Sequence, residues 1–147
     1  MGHWFQGLIL LAWELRRFAL LKLESSPKLA LVVDDSMLIR HTVCRFLEER
    51  GFQVEAATNG LEALEMLATL EPDIIITDIQ MPRMSGVELI SALKSDPRTA
   101  QIPIVALSSL QCGAKGPAED ARADFSILKD IDIETQLEAT LARAMRS

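Results

Sequence analysis

Asp73-Ile74-Ile75-Ile76-Thr77-Asp78-Ile79-Gln80-Met81-Pro82 carries the clearest structural signal in the chain. Ile74 to Ile76 is an unbroken β-branched run, the composition of a strand buried on both faces. Such a strand belongs to a parallel sheet, and Asp78 at its end would stand at the carboxyl edge, where α/β proteins build their sites. Pro82 and Gly86 then break the chain before a new helix. Taken alone, Asp78 reads more readily as a loop carboxylate capping that helix. The residues that end the other strands argue against the cap.

Upstream, Leu29 to Val33 is a short apolar strand that ends in Asp34-Asp35. Ile39, Val43, Phe46 and Leu47 give the next segment a helical face, and Gly51 stops it in the usual cap position. Phe52 to Ala57 reads as a second strand. Asn59-Gly60 has the composition of a hairpin turn. Leu61, Leu64 and Leu67 nevertheless continue at helical spacing, so Asn59 is read as an N-cap. Downstream of Pro82, Ser85 and Glu88 form a capping box that starts a third helix, with Pro97 beyond its end. Ile104 to Leu107 is a fourth strand, ending in Ser108-Ser109.

The stretch Gln111 to Asp124 should then be a helix, but Gly113, Gly116 and Pro117 make it a poor one. It is expected to be irregular, with two turns of helix at most. Phe125 to Leu128 is a fifth strand, ending in Lys129. Asp132 caps a last helix with Ile133, Leu137, Leu141 and Met145 on one face. Strands alternating with helices five times predict a parallel sheet with helices on both faces, and the most continuous apolar runs place strands one, three and four at its centre.

Four strand ends therefore carry reactive groups: Asp34 and Asp35, Asp78, Ser108, and Lys129. In a parallel sheet these ends share one edge. A pair of carboxylates ~4 Å apart repels by roughly 4 kcal/mol at an effective dielectric of ~20, so such a cluster calls for a cation. Hard oxygens with room for water suit Mg²⁺. A lysine and a hydroxyl facing the same point are donors for an anion. Together they describe a phosphoryl site in which one aspartate is the nucleophile.

These residues, with Met81-Pro82, Gly86 and Ile102-Pro103-Ile104-Val105-Ala106-Leu107-Ser108, resemble the receiver domain of bacterial two-component response regulators, in its single-domain, chemotaxis-regulator-like form. The resemblance covers about Lys28 to Ser147. It implies a flavodoxin-like doubly wound sheet of strand order 2-1-3-4-5, an order for which a member of this family is a standard example. It implies that Asp78 takes a phosphoryl group from the phosphohistidine of a histidine kinase or phosphotransfer protein. Asp34 and Asp35 would hold Mg²⁺ with Asp78 and the backbone carbonyl of Gln80. Ser108 and Lys129 would bond the phosphoryl oxygens, while Gln80 and Leu110 would tune the lifetime of the phosphate. The chain would be a switch that promotes only its own phosphotransfer and dephosphorylation, and it would act by altering the binding of a downstream partner protein.

Two departures stand out. The family usually has proline after the lysine, with a cis bond between them. Here the residue is Asp130, where a cis bond costs ~2.5–4 kcal/mol, so a trans bond and a differently aimed Lys129 are expected. Three residues before the lysine the family usually carries Tyr or Phe as a rotamer switch. Here Ser126 stands there beside Phe125, which could substitute only if a bulge turned it to the other face. The altered readout side favours an alternative, a constitutive interaction module with weak or no phosphorylation. A phosphatase of the haloacid dehalogenase type needs a second aspartate two residues after the nucleophile, and the chain has Gln80.

The 147 residues suit a receiver domain at 28–147 preceded by a helix and linker at 1–27. The chain ends with its last helix, so no output domain is expected to follow. Net charge is −6; residues 1–28 carry four basic and two acidic groups, which gives +2 and leaves −8 to the remaining 119. That balance argues against nucleic acid as a direct partner. Cys44 and Cys112 make neither a zinc site nor a disulfide framework, and a reducing, cytoplasmic setting is expected. His41 reads as a solvated helix residue and Cys44 as core. Trp4 to Leu23 is apolar but interrupted by Glu14, Arg16, Arg17 and Lys22, and its charge-free run is too short to span a bilayer. Trp4, Leu8, Leu11, Leu15 and Phe18 recur at spacings of four and three, a helix-pairing stripe. Self-association through residues 4–23 is the first expectation and contact with a membrane surface the second, ahead of an extension without a role.

Overall fold

The computed structural model describes residues 3–24, 27–109 and 122–146, with side chains in the first segment described from Gln6 to Arg17. Helix α1 spans His3–Glu24. The rest alternates: β1 Leu29–Val33, α2 Met37–Glu49, β2 Gln53–Ala57, α3 Gly60–Leu67, β3 Ile74–Asp78, α4 Gly86–Ser95, β4 Ile104–Ser108, β5 Phe125–Leu128 and α5 Ile133–Ala144. All strand pairings are parallel, and the sheet order is β2-β1-β3-β4-β5. This is the expected flavodoxin-like doubly wound sheet with an additional N-terminal helix.

The apolar runs explain the order. Every residue of β3 and β4 is buried, as is all of β1 except half-buried Leu29. The more exposed β2 and β5 lie at the edges. Alternate residues of each strand enter different cores. Ala30, Val32, Ile74, Ile76, Val105, Leu107 and Ile127 pack under α2 and α5 through Val43, Phe46, Leu47, Leu137 and Leu141. Leu31, Val33, Ile75, Ile104 and Ala106 pack under α3 and α4 through Ala63, Leu67, Leu89, Ile90 and Leu93.

Local chemistry sets the helix ends. Ser36, Asn59, Ser85 and Asp132 are N-caps whose side chains accept from the backbone N–H of Ile39, Glu62, Glu88 and Thr135. Ser85 and Glu88 complete the expected capping box. Gly51 closes α2 at φ +88°, a conformation that only glycine adopts without strain. His41 is exposed, and Cys44 is half-buried against the core under α2.

The expected irregular segment Gln111 to Asp124 lies outside the described residues except for Arg122, Ala123 and Asp124. Leu110, Cys112 and the Ser25-Ser26 linker also lie outside them, as do the side chains of Trp4, Phe5 and Phe18. In α1 the expected stripe is exposed at Leu8, Leu11 and Leu15, but Ile9, Leu10 and Trp13 are equally exposed. The helix is apolar around its circumference rather than along one seam. Among the described residues no helix is long and apolar enough to cross a membrane.

Candidate functional site

Sheet register brings the reactive residues together. Val33 pairs with Thr77, so the next residues, Asp34 and Asp78, stand side by side at the ends of β1 and β3. Asp78 pairs with Leu107, which places Ser108 one step further on. Ser108 pairs with Leu128, and the Lys129 N–H donates to the Ser108 carbonyl at 2.8 Å. Residues spread over about two-thirds of the sequence thus converge because each strand ends within one residue of its neighbour.

Lys129 is central. Its Nζ lies 3.0 Å from Asp78 Oδ2 and 2.9 Å from Asp34 Oδ2. The bond between Lys129 and Asp130 is trans, as every described peptide bond is. With the expected trans bond in place, the long Lys129 side chain meets both carboxylates. Burial alone would lower the Lys129 ammonium, but its contacts with Asp34 and Asp78 outweigh that and raise it.

Two buried carboxylates share this one ammonium. Asp34 is fully buried and Asp78 is 4% exposed. Burial first, and then the neighbouring Asp34 charge, push Asp78 up to about 6. Lys129 and the Gln80 N–H, which donates to Asp78 Oδ1 at 3.2 Å, pull the other way without cancelling the rise. Asp35, next along the chain, is exposed.

Asp34, Asp35 and Asp78 each offer one oxygen within 4.8 Å of the others. Asp34 Oδ1 accepts from the Ser36 N–H at 2.8 Å. Asp34 Oδ2 is an ion-pair partner of Lys129 by distance, yet among the described residues it receives no aligned hydrogen bond, and buried Ser108 Oγ has no hydrogen-bond partner there. Unsatisfied buried oxygens are costly, and they concentrate where a site takes a ligand. The donor set is hard oxygen, open to solvent on the Asp35 side, and it fits Mg²⁺ with water completing the shell. Gln80 follows β3 in the same loop, and its side chain is exposed.

Three features of the surroundings rest on contacts that residue spacing does not show. Gly86 is required sterically: a Cβ there would overlap the Asp78 carbonyl oxygen and come within 2.6 Å of Ile79 Cα. Its N–H donates to the Ile79 carbonyl at 2.8 Å, folding the loop back onto the site. In the same loop Arg83 adopts φ +70°, a strained conformation for a residue with a Cβ. Arg40, early in α2, donates from Nη1 to the Asp34 carbonyl at 2.9 Å. A basic residue in the first turn of a helix works against the helix dipole, and that is the one signal by which Arg40 could have been noticed.

On the β5 side the ladder runs without a bulge from Val105–Phe125 to Ser108–Leu128. Phe125 therefore stays on the face toward α2 and α5, where it packs against the core with the Arg143 guanidinium 5.4 Å from its ring centroid. Ser126 occupies the rotamer-switch position and is exposed.

This geometry agrees with what known proteins show. The family described as response regulator receiver domain matches residues 30–141, and the chain belongs to that family. The nitrate/nitrite response regulator protein NarP of Escherichia coli is 38% identical over 126 residues, covering 84% of this chain and 58% of NarP. The DNA-binding dual master transcriptional regulator RpaA of Synechocystis is 32% identical over 118 residues, covering 80% of this chain and 49% of RpaA. The chain thus spans about half the length of these curated relatives. Among solved structures, the chemotaxis response regulator CheY4 of Vibrio cholerae matches with a TM-score of 0.69 at 31% identity, covering 81% of this chain and 99% of that one. The signal receiver domain of a Syntrophus aciditrophicus histidine kinase matches with a TM-score of 0.70 at 32% identity, covering 80% and 89%. Receiver domains are the phosphoacceptor domains of two-component signalling and bind Mg²⁺ in their active site; the cluster of Asp34, Asp35 and Asp78 fits such a site.

Proposed function

We propose that residues 28–147 act as a phosphorylation-controlled switch with Asp78 as the phosphoacceptor. The observation that carries this reading is the position of Asp78: at the carboxyl edge of the central strand, 3.0 Å from Lys129 and beside Asp34. A carboxylate oxygen of Asp78 attacks the phosphorus of a phosphohistidine on a histidine kinase or phosphotransfer protein. The phosphorus–nitrogen bond breaks and the imidazole leaves with its electron pair. Lys129 and Ser108 donate to the phosphoryl oxygens, where charge accumulates. Asp34, Asp35, Asp78 and the Gln80 carbonyl would hold Mg²⁺, which would neutralise the charge gathered at this edge. Gln80, and Leu110 outside the described residues, set how readily water reaches the phosphoryl group, so the domain acts on itself and not on a separate substrate.

Incubation with Mg²⁺ and acetyl phosphate should give one phosphoryl adduct by intact mass, absent from Asp78→Asn. An undiminished adduct on that variant would place the acceptor elsewhere. Calorimetric Mg²⁺ titration should show weak binding that disappears in Asp35→Asn. Equal heats would remove Asp35 from the metal set.

The downstream partner is a protein, and the receiver body, with −8 over residues 29–147, makes no direct contact with nucleic acid. A second reading draws on one observation, the exposed Ser126 with Phe125 held on the opposite face. In that reading the body binds its partner whether or not Asp78 is modified. Pull-downs with and without beryllofluoride separate the two: a phosphorylation switch changes its captured partner, and a constitutive module does not. A histidine kinase as phosphodonor would go with a cytoplasmic setting for the chain.

A further inference from the structure

Helix α1 is unlike every other described helix. All its described side chains, Gln6 to Arg17, are exposed. Leu8, Ile9, Leu10 and Leu11 are each 59–64% exposed, as are Trp13 and Leu15 at 62%. Successive helical residues are turned by about 100°, so Leu8 to Leu11 point to four sides of the helix. The receiver body does not cover any of them.

A second helix packed alongside would cover one stripe. With Leu8, Leu11 and Leu15 in that seam, Ile9, Leu10 and Trp13 would remain in water. A lipid surface surrounds a helix lying in it on more than one side, with its apolar face about 5–10 Å into the headgroup and acyl boundary. No described helix is long and apolar enough to cross the bilayer, which leaves a helix lying in its surface.

Charge points the same way. Arg16 and Arg17 are exposed, and the Arg17 guanidinium sits 5.8 Å from the Trp13 ring centroid. An arginine above a tryptophan suits the headgroup level, where indole rings and cationic side chains concentrate. Residues 1–28 carry +2 and the remainder −8. An anionic surface attracts the helix and repels the body, which turns the phosphoryl-site domain toward water.

We propose that α1 is a surface anchor for anionic lipid. Trp4 and Trp13 are the two tryptophans of the chain, so its tryptophan emission reports on this helix alone. The full chain is mixed with vesicles of phosphatidylcholine and phosphatidylglycerol, and separately with pure phosphatidylcholine. The expected result is flotation with the anionic vesicles and a blue shift of the emission. Leu8→Glu/Leu11→Glu/Leu15→Glu should not float. Arg16→Gln/Arg17→Gln should lose roughly thirtyfold in affinity for the anionic vesicles, matching the loss of two surface cations. The proposal is overturned if the full chain does not float with anionic vesicles, or if the triple-Glu variant floats as well as the parent. It is also overturned if the emission is already blue-shifted without lipid and light scattering shows a concentration-dependent oligomer, since a second copy would then cover the helix.

Discussion

The carboxyl edge of β1 and β3 and the neighbouring flank of β5 are built on opposite terms. At the edge, two buried carboxylates share one lysine, Ser108 Oγ has no hydrogen-bond partner among the described residues, Arg83 sits at φ +70°, and Gly86 leaves no room for a Cβ beside the Asp78 carbonyl. On the flank, Phe125 packs conventionally under Arg143, Ser126 faces solvent, and the β4–β5 ladder is regular. The difference teaches where this fold stores unfavourable energy. Strain and unsatisfied charge persist where the surrounding structure over-determines them, and here they coincide with the chemistry. The flank shows no such store among the described residues, so on the proposed function phosphorylation of Asp78 would release little there.

The largest expected effect tests the steric part of this contrast. Gly86→Ala should destabilise the domain by about 3 kcal/mol, because the added methyl overlaps backbone that cannot give way like a side chain. Chemical denaturation measures it. A cost below ~1 kcal/mol would show that the loop relaxes freely and that the edge is less constrained than its geometry indicates.

Asp78→Asn tests the electrostatic part, with the opposite sign. The folded state raises Asp78 from 3.8 to about 6, so in that window the folded chain binds more protons than the unfolded one. Stability therefore falls as pH rises from about 4 to 6, and the full deficit, roughly 3 kcal/mol for a shift of this size, is present at pH 7. Without Mg²⁺, Asp78→Asn should be more stable than the parent by roughly 2–3 kcal/mol at pH 7, with the gain vanishing near pH 4. Mg²⁺ should narrow the gap, because it stabilises only the folded carboxylate cluster. Denaturant midpoints at the two pH values, each with and without Mg²⁺, provide the check. A pH-independent gain would mean that the carboxylate charge is not its source.

Much of this contrast was legible in the sequence. Each apolar run ends in a reactive residue, and parallel pairing leaves those ends little choice but to meet, so Asp34, Asp78, Ser108 and Lys129 could be placed before any coordinates. The strand order could not, because periodicity says which residues are buried but not which strands are neighbours; it came from the resemblance. The trans bond before Asp130 was legible from the missing proline, whereas the reach of Lys129 to both Asp34 and Asp78 depends on side-chain length and strand-end geometry that residue spacing does not give. Arg40 and the overlap at Gly86 depend on distances between a helix, a loop and a strand end, and residue spacing does not encode them. In α1 the four-and-three spacing was read as a seam, while the intervening Ile9, Leu10 and Trp13 carried the different message of an all-round apolar helix.

Phe125→Ala examines the flank as ordinary core. The ring is half-buried against Ile127, Leu141 and their neighbours and lies beneath Arg143. Its loss should cost about 2 kcal/mol, less than a fully buried phenylalanine, and should leave the yield of acetyl phosphate adduct at Asp78 unchanged. A reduced adduct yield would couple this face to the site and weaken the contrast.

Ser126→Ala should have the smallest effect. Ser126 pairs with Ala106 across the β4–β5 ladder, its side chain is exposed, and it has no ring to swing between an outward and an inward rotamer. Stability should change by no more than ~0.5 kcal/mol, the range of exposed substitutions away from special features. The backbone amide shifts that beryllofluoride produces should be the same in Ser126→Ala as in the parent. They should concentrate along Asp78 to Gly86, where the loop is hydrogen-bonded to the site, and stay small at Phe125 to Leu128. Large shifts at Ser126 in the parent that vanish in Ser126→Ala would make the hydroxyl itself a relay. The β5 flank would then be a working readout surface in spite of its missing aromatic switch.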